Sequence, residues 1–166
     1  MKIELKNVKY AEFASHETHC FEASVYIDGK RAGNVSNDGR GGCNDYHPHE
    51  LALTLAEHAK TLPKQKWNLD GKKFEIETTL DHIIDELLID YLHAKDLKRS
   101  LSKRILFVGT DGQLKETIGL DKTKMAAALT SPTITEKLKA QKVLNLMPFN
   151  EALSLYINHA KGENHA

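Results

Sequence analysis

From Leu80 onward, apolar residues recur at intervals of three and four. Leu80, Ile83, Ile84, Leu87, Leu88, Tyr91 and Leu92 lead, and Leu97 and Leu101 carry a drifting stripe to about Lys103. The spacing predicts one long amphipathic helix, which needs a broad apolar surface to cover its stripe. Its acids (Asp81, Asp85, Glu86, Asp90) fall in the first half and its bases (Lys95, Lys98, Arg99, Lys103) in the second, the order that the helix dipole favours. That order stabilises a helix and says nothing of function.

Strand patterns elsewhere supply the surface. Met1 to Tyr10 sets Ile3, Leu5 and Val8 against charged neighbours, and Phe21, Ala23, Val25 and Ile27 share one face after the polar connection from Ser15 to His19. Asp28-Gly29 predicts a tight hairpin, with a return strand from Lys30 to Val35 in which Gly33 marks a bulge. Further strands are expected at Lys73 to Ile76, Arg104 to Val108 and Gln113 to Ile118, with turns at Asp70-Gly71 and Asp111-Gly112. Helices are expected from Pro48 to Pro63, over Lys122 to Leu129, from Thr133 or Thr135 to Ala140, and from Glu151 to Ile157. Lys64-Gln65-Lys66 reads as solvated linker and Lys161 to Ala166 as a frayed tail. The fold class is therefore α+β, an antiparallel sheet of four to six strands packed by the long helix and several shorter ones. We expect a single domain over residues 1–160, with 1–63 and 73–160 as its sub-lobes.

A chain of 166 residues with 40% hydrophobic and 28% charged side chains can bury a core without covalent staples. Lys+Arg 23 balances Asp+Glu 23, so no overall field draws it to nucleic acid or an anionic membrane, and a nucleic-acid partner is not expected. The nine histidines make the net charge positive in mild acid. Two cysteines, Cys20 and Cys43, make no disulfide framework. There is no signal-peptide core and no run of about 20 apolar residues, so a soluble, cytoplasmic protein is expected.

Function is expected in the run from Ser36 to His49. Asn37, Asp38, Gly39, Arg40, Gly41, Gly42, Cys43, Asn44, Asp45, His47 and His49 are the candidate ligand-binding residues. The glycines let backbone N–H groups approach a ligand, the helix after Pro48 would point its positive end at them, and Arg40 could grip a phosphate or carboxylate. Neither nucleotide fingerprint is complete. A phosphate-binding loop needs Lys-Ser or Lys-Thr where Cys43-Asn44 stands, and a dinucleotide fingerprint needs glycine at Asn44. Cys43, His47 and His49 could make a thiolate–imidazole or metal site, but closing it would need His16, His19 or Cys20 brought over by the fold. Asp90-x-x-His93, with His82 and Glu86, has the spacing of helical metal ligands but no matching second helix.

The segment Phe21 to Lys60 resembles part of a double-stranded RNA-binding domain. It departs where that family needs a lysine cluster, having Asn44-Asp45-Tyr46-His47 instead. Val25-Tyr26-Ile27-Asp28-Gly29-Lys30, Asn37-Asp38-Gly39 with Gly41-Gly42, and Asn145 to Ala152 resemble uncharacterised small proteins of bacteria and their phages. The resemblance implies an accessory role in a mobile element and carries no catalytic residue across. The expectation is a non-enzymatic protein that binds a protein partner or a small anionic ligand through the Asn37–His49 loop, with no cofactor and no membrane. Two alternatives are a small hydrolytic or nucleotide-directed enzyme using Cys43 or a histidine-bound metal, and a nucleic-acid binder using Lys95, Lys98, Arg99, Lys103 and Arg104.

Overall fold

The computed structural model describes residues 1–69 and 71–163. The chain folds as α+β and divides into two compact units, Met1–Ile89 and Asp90–Ala166.

In the first unit, β1 (Ile3–Tyr10), β2 (Cys20–Ile27), β3 (Lys30–Asp38) and β4 (Asp45–His47) form an antiparallel sheet in chain order. Alternation decides its faces: Phe21, Ala23 and Val25 of β2 and Val35 of β3 are buried. Asp28 and Gly29 both take positive φ, 47° and 81°, the primed turn whose twist matches the flanking strands. Between Val25↔Gly33 and Tyr26↔Arg31 the extra residue is Ala32, so a bulge sits beside Gly33. A second bulge in β1, at Asn7 with φ 54°, explains why Val8 falls out of phase with Ile3 and Leu5.

Helix α1 (His49–Ala59) buries Leu51, Leu55 and Ala59 at helical spacing. A two-stranded hairpin follows, β5 (Gln65–Leu69) on β6 (Lys72–Ile76). Helix α2 (Leu80–Leu101) starts with a reciprocal cap: Thr79 Oγ1 accepts from His82 N at 3.2 Å, and Thr79 N donates to His82 Nδ1 at 3.2 Å. It buries Ile83, Ile84 and Leu88 in this unit, and the division between the units falls within it.

The second unit is built on β7 (Leu106–Gly109), the fully buried centre of a sheet ordered β8 (Leu114–Glu116), β7, β9 (Ala140–Val143). Leu106 and Val108 pack with Leu97, Leu144 and Ala152, while Ile105 and Phe107 pack with Ile134 and Val143. Helices α3 (Lys122–Leu129), α4 (Ile134–Leu138) and α5 (Phe149–Glu163) complete it. Asp121 caps α3 by accepting from Lys124 N at 2.8 Å. The Asn145 side chain accepts from Leu106 N at 2.8 Å and donates to Leu101 O and Arg104 O, fixing the turn from α2 into β7.

Four expectations are corrected. Among the described residues there are three antiparallel sheets, not one, because short hairpins close locally rather than adding to a common ladder. Gln65 and Lys66 lie in β5 rather than in a linker, since cross-strand pairing with β6 outweighs their polarity. Residues 140–143 are a strand, not a helix end and connection: Lys139 at φ 50° terminates α4 and turns the chain onto β7. Residues 161–163 continue α5, while Asp70 and residues 164–166 of the expected turn and tail lie outside the described residues. Among the described residues, no helix is long and apolar enough to cross a membrane.

Candidate functional site

The glycine-rich run is shorter and more rigid than its composition suggests. Ser36 to Asp38 end β3, and Asp45 to His47 return beside it as β4 through the pairs Asn34↔His47, Val35↔Tyr46 and Ser36↔Asp45. Gly33 makes that return feasible, for a Cβ there would lie 2.3 Å from His47 O. Only residues 39–44 remain as loop, and β4 stands between them and α1. The loop is therefore not at a helix N-terminus.

Asn37 is the hub of this turn, with 7% of its surface exposed. Its Oδ1 accepts from Thr18 Oγ1 at 2.6 Å and from Gly39 N at 2.9 Å, and its Nδ2 donates to Asn44 Oδ1 at 3.1 Å. Arg40 N donates to Asp38 Oδ1 at 3.0 Å and Gly41 N to Thr18 Oγ1 at 3.2 Å. Gly39 O accepts from His16 N and Glu17 N, which ties the connection before β2 onto the loop. The amides of residues 39–41 are thus committed to side chains of the protein itself. They make no open anion cradle, contrary to the role expected of the glycines.

Asn44, also buried, joins the loop to α2: its N donates to Asp81 Oδ1 at 3.2 Å and its Nδ2 to Asp85 Oδ1 at 3.3 Å. Tyr46 donates its hydroxyl to the same Asp81 oxygen at 2.7 Å. Burial, with the Asp81 carboxylate facing it, pushes the Tyr46 phenol far above its usual range. These contacts bound a cleft of about 530 Å³, walled by the connection from Glu12 to His19, the loop from Gly42 to Asn44, and Asp81, Asp85 and Ile89 of α2. Among the described residues four carboxylates line it, Glu12, Glu17, Asp81 and Asp85, with no lysine or arginine. Its field is negative.

No match was found among protein-family models, curated proteins or solved structures.

Of the candidate residues, Asn37, Gly42, Cys43 and Asn44 line the cleft. Gly39 and Gly41 shape the turn behind it, and a Cβ on Gly39 would meet Ala14 O at 2.1 Å. The exposed Asp38 and Arg40 lie outside the cleft lining. Asp45 and His47 line a separate concavity with Glu22, Asn34 and Ser36, and His49 is exposed at the start of α1. The loop residues are not one site.

His16 and His19 do reach the cleft that holds Cys43, whereas Cys20 and His47 do not line it. Both cysteines are free thiols, and among the described residues no hydrogen bond joins Cys43 to either ring. His19 Nδ1 instead lies 3.4 Å from Tyr10 OH. Among the described residues, no three His, Cys, Asp or Glu side chains converge as a metal-holding group. On the polar stripe of α2, His82 belongs to the helix cap, Glu86 accepts from Gln65, and the His93 ring meets Tyr156 edge-on. In the basic stretch of α2 and beyond, Lys98 sits over the Phe149 ring and Arg104 is paired with Glu116.

Sequence reasoning missed Glu12, Glu17, Asp81 and Asp85 as walls of a cleft. The signal for the last two was the i,i+4 spacing of Asp81 and Asp85, which puts both carboxylates on one face of α2.

Proposed function

We propose that the protein is a non-enzymatic recognition module that takes a cationic side chain, lysine or arginine, presented by a protein partner in the cleft behind Asn37. The observation that carries this is the lining: four carboxylates and, among the described residues, no lysine or arginine around a cleft of about 530 Å³. A guanidinium or ammonium group entering there meets a complementary field and carboxylate acceptors held in place by Asn44 and Tyr46. The small anionic ligand, the other class expected from the loop, finds neither a lysine or arginine in the lining nor free amides at residues 39–41.

The test uses the full chain and short fluorescent peptides rich in lysine and arginine, or in glutamate, followed by anisotropy. Basic peptides should bind, more weakly as salt is raised. The double variant Glu12→Gln, Glu17→Gln removes two exposed charges while keeping the size of both side chains, and should weaken binding roughly three- to tenfold. Equal binding of the acidic peptide, or basic-peptide affinity untouched by the double variant, contradicts the proposal.

A further inference from the structure

Phe13 is the most exposed large apolar side chain among the described residues, with 88% of its surface open. Single apolar side chains scattered over a surface need no partner, but this one is held rigidly. It is the middle residue of a one-turn 3-10 helix, Glu12–Ala14, in the connection between β1 and β2. Ser15 fixes that turn by donating its hydroxyl to Ala11 O at 2.9 Å and accepting from Cys20 N at 2.8 Å. On its other side Ala14 O packs so closely on Gly39 that no Cβ fits between them. The ring is thus presented by a turn tied both to β2 and to the glycine-rich loop, and little further ordering is needed for it to bind.

The same turn builds a wall of the acidic cleft, through Glu12, Ser15, His16 and Glu17. At three residues per turn Glu12 and Ser15 share a side, and Phe13 projects a third of a turn from it, so the ring stands beside the cleft rather than in it. On the reading of the cleft as a site for lysine or arginine, we infer that the partner segment is amphipathic: an apolar residue docks on Phe13 while its basic neighbour enters the cleft. An extended chain advances about 3.3–3.6 Å per residue, so a residue one or two places from the basic one reaches a ring whose own chain neighbour, Glu12, lines the cleft. In the α2 wall, the exposed Ile89 gives the methylene stem of the basic side chain an apolar surface to lie along. Charge decides against other occupants. An anionic lipid surface or a nucleic acid would bring phosphates against Glu12 and Glu17, and a second copy meeting ring to ring would bring two acidic clefts together. A neutral apolar segment would cover the ring but leave the carboxylates beside it unanswered.

The test compares fluorescent peptides by anisotropy with the full chain. One carries arginines spaced by glycine and serine, a second has leucine in place of each serine, and a third keeps the leucines but has glutamine in place of each arginine. The second should bind roughly five- to thirtyfold more tightly than the first, the gain expected when an apolar side chain is covered on the ring. With Phe13→Ser the first two peptides should bind alike, whereas Phe13→Leu, which keeps an apolar side chain there, should retain most of the gain and shows that the turn itself tolerates substitution. The Glu12→Gln, Glu17→Gln variant should weaken both arginine peptides. Equal affinities of the first two for the unaltered chain, or a gain that survives Phe13→Ser, overturn this inference and leave the basic-side-chain reading of the cleft standing. The third peptide binding as tightly as the second overturns it too, because the ring would then act without the cleft. If neither arginine peptide binds, both fall.

Discussion

Replacing Asn37 by alanine removes the side chain on which the loop is hung. Gly39 N, buried behind the turn, loses its acceptor; left unsatisfied, such a donor costs about 1–3 kcal/mol. Asn44 Oδ1 loses the donor 3.1 Å away, about 0.5–1.5 kcal/mol more. The Thr18 hydroxyl can rotate toward another partner, so its bond is not added, and the sum is roughly 2–4 kcal/mol. Asp38→Ala is the matched control: its side chain is exposed and accepts from Arg40 N, so the loss should stay below about 1 kcal/mol. Because the chain has two compact units, a single unfolding free energy need not describe it. The assay should follow urea unfolding through resolved amide signals of Phe21 and Val25, buried strand residues of the first unit. If both variants fall within about 0.5 kcal/mol of each other, Asn37 is not the hub and the argument for a preformed loop fails.

Two glycines should separate backbone strain from collision. Gly39 and Gly42 take φ of 83° and 89°, so alanine at either position costs about 1–2 kcal/mol, but only at Gly39 does the new Cβ run into Ala14 O and Cys20. Gly39→Ala should therefore unfold the first unit well before Gly42→Ala in the same urea series, and equal losses would contradict the packing described. For Tyr46, the folded state holds the phenolic proton more tightly than the unfolded chain does. The stability this contributes is complete below the unfolded value of about 10 and is lost as pH rises above it. Ultraviolet titration should show no phenolate difference between the native protein and Tyr46→Phe up to about pH 11, and a difference once both are unfolded in urea. A native difference appearing near pH 10 would mean that the Asp81 contact does not form in solution.

Much of the fold was legible in the sequence because its elements are locally determined. The alternation from Phe21 to Ile27, the Asp28-Gly29 turn and the stripe from Leu80 to Leu101 each state a period and a boundary in adjacent residues. Elements held by pairing alone were not legible. Asp45-Tyr46-His47 has no apolar alternation and becomes a strand because Gly33 admits it against β3. Gln65-Lys66 looks like solvated linker until β6 lies opposite. The run from Asn37 to His49 stands out in the sequence, but the glycines that suggest a ligand cradle shape a bonded turn. Its buried Asn37 and Asn44 serve as scaffold and also line the cleft. The acidic wall is tertiary: Glu12 and Glu17 come from one connection, Asp81 and Asp85 from a helix some 65 positions later. Nothing local to either segment announces that they face one space.

The central claim is that this cleft receives a basic side chain, and backbone amide shifts during titration of the full chain with a short lysine- and arginine-bearing peptide test it most directly. The account predicts shifts concentrated at Thr18, Gly42, Cys43, Asn44, Asp81 and Asp85, absent with a glutamate-bearing peptide and reduced in the Glu12→Gln, Glu17→Gln variant. Shifts centred elsewhere, or the same residues moving with the acidic peptide, would contradict it.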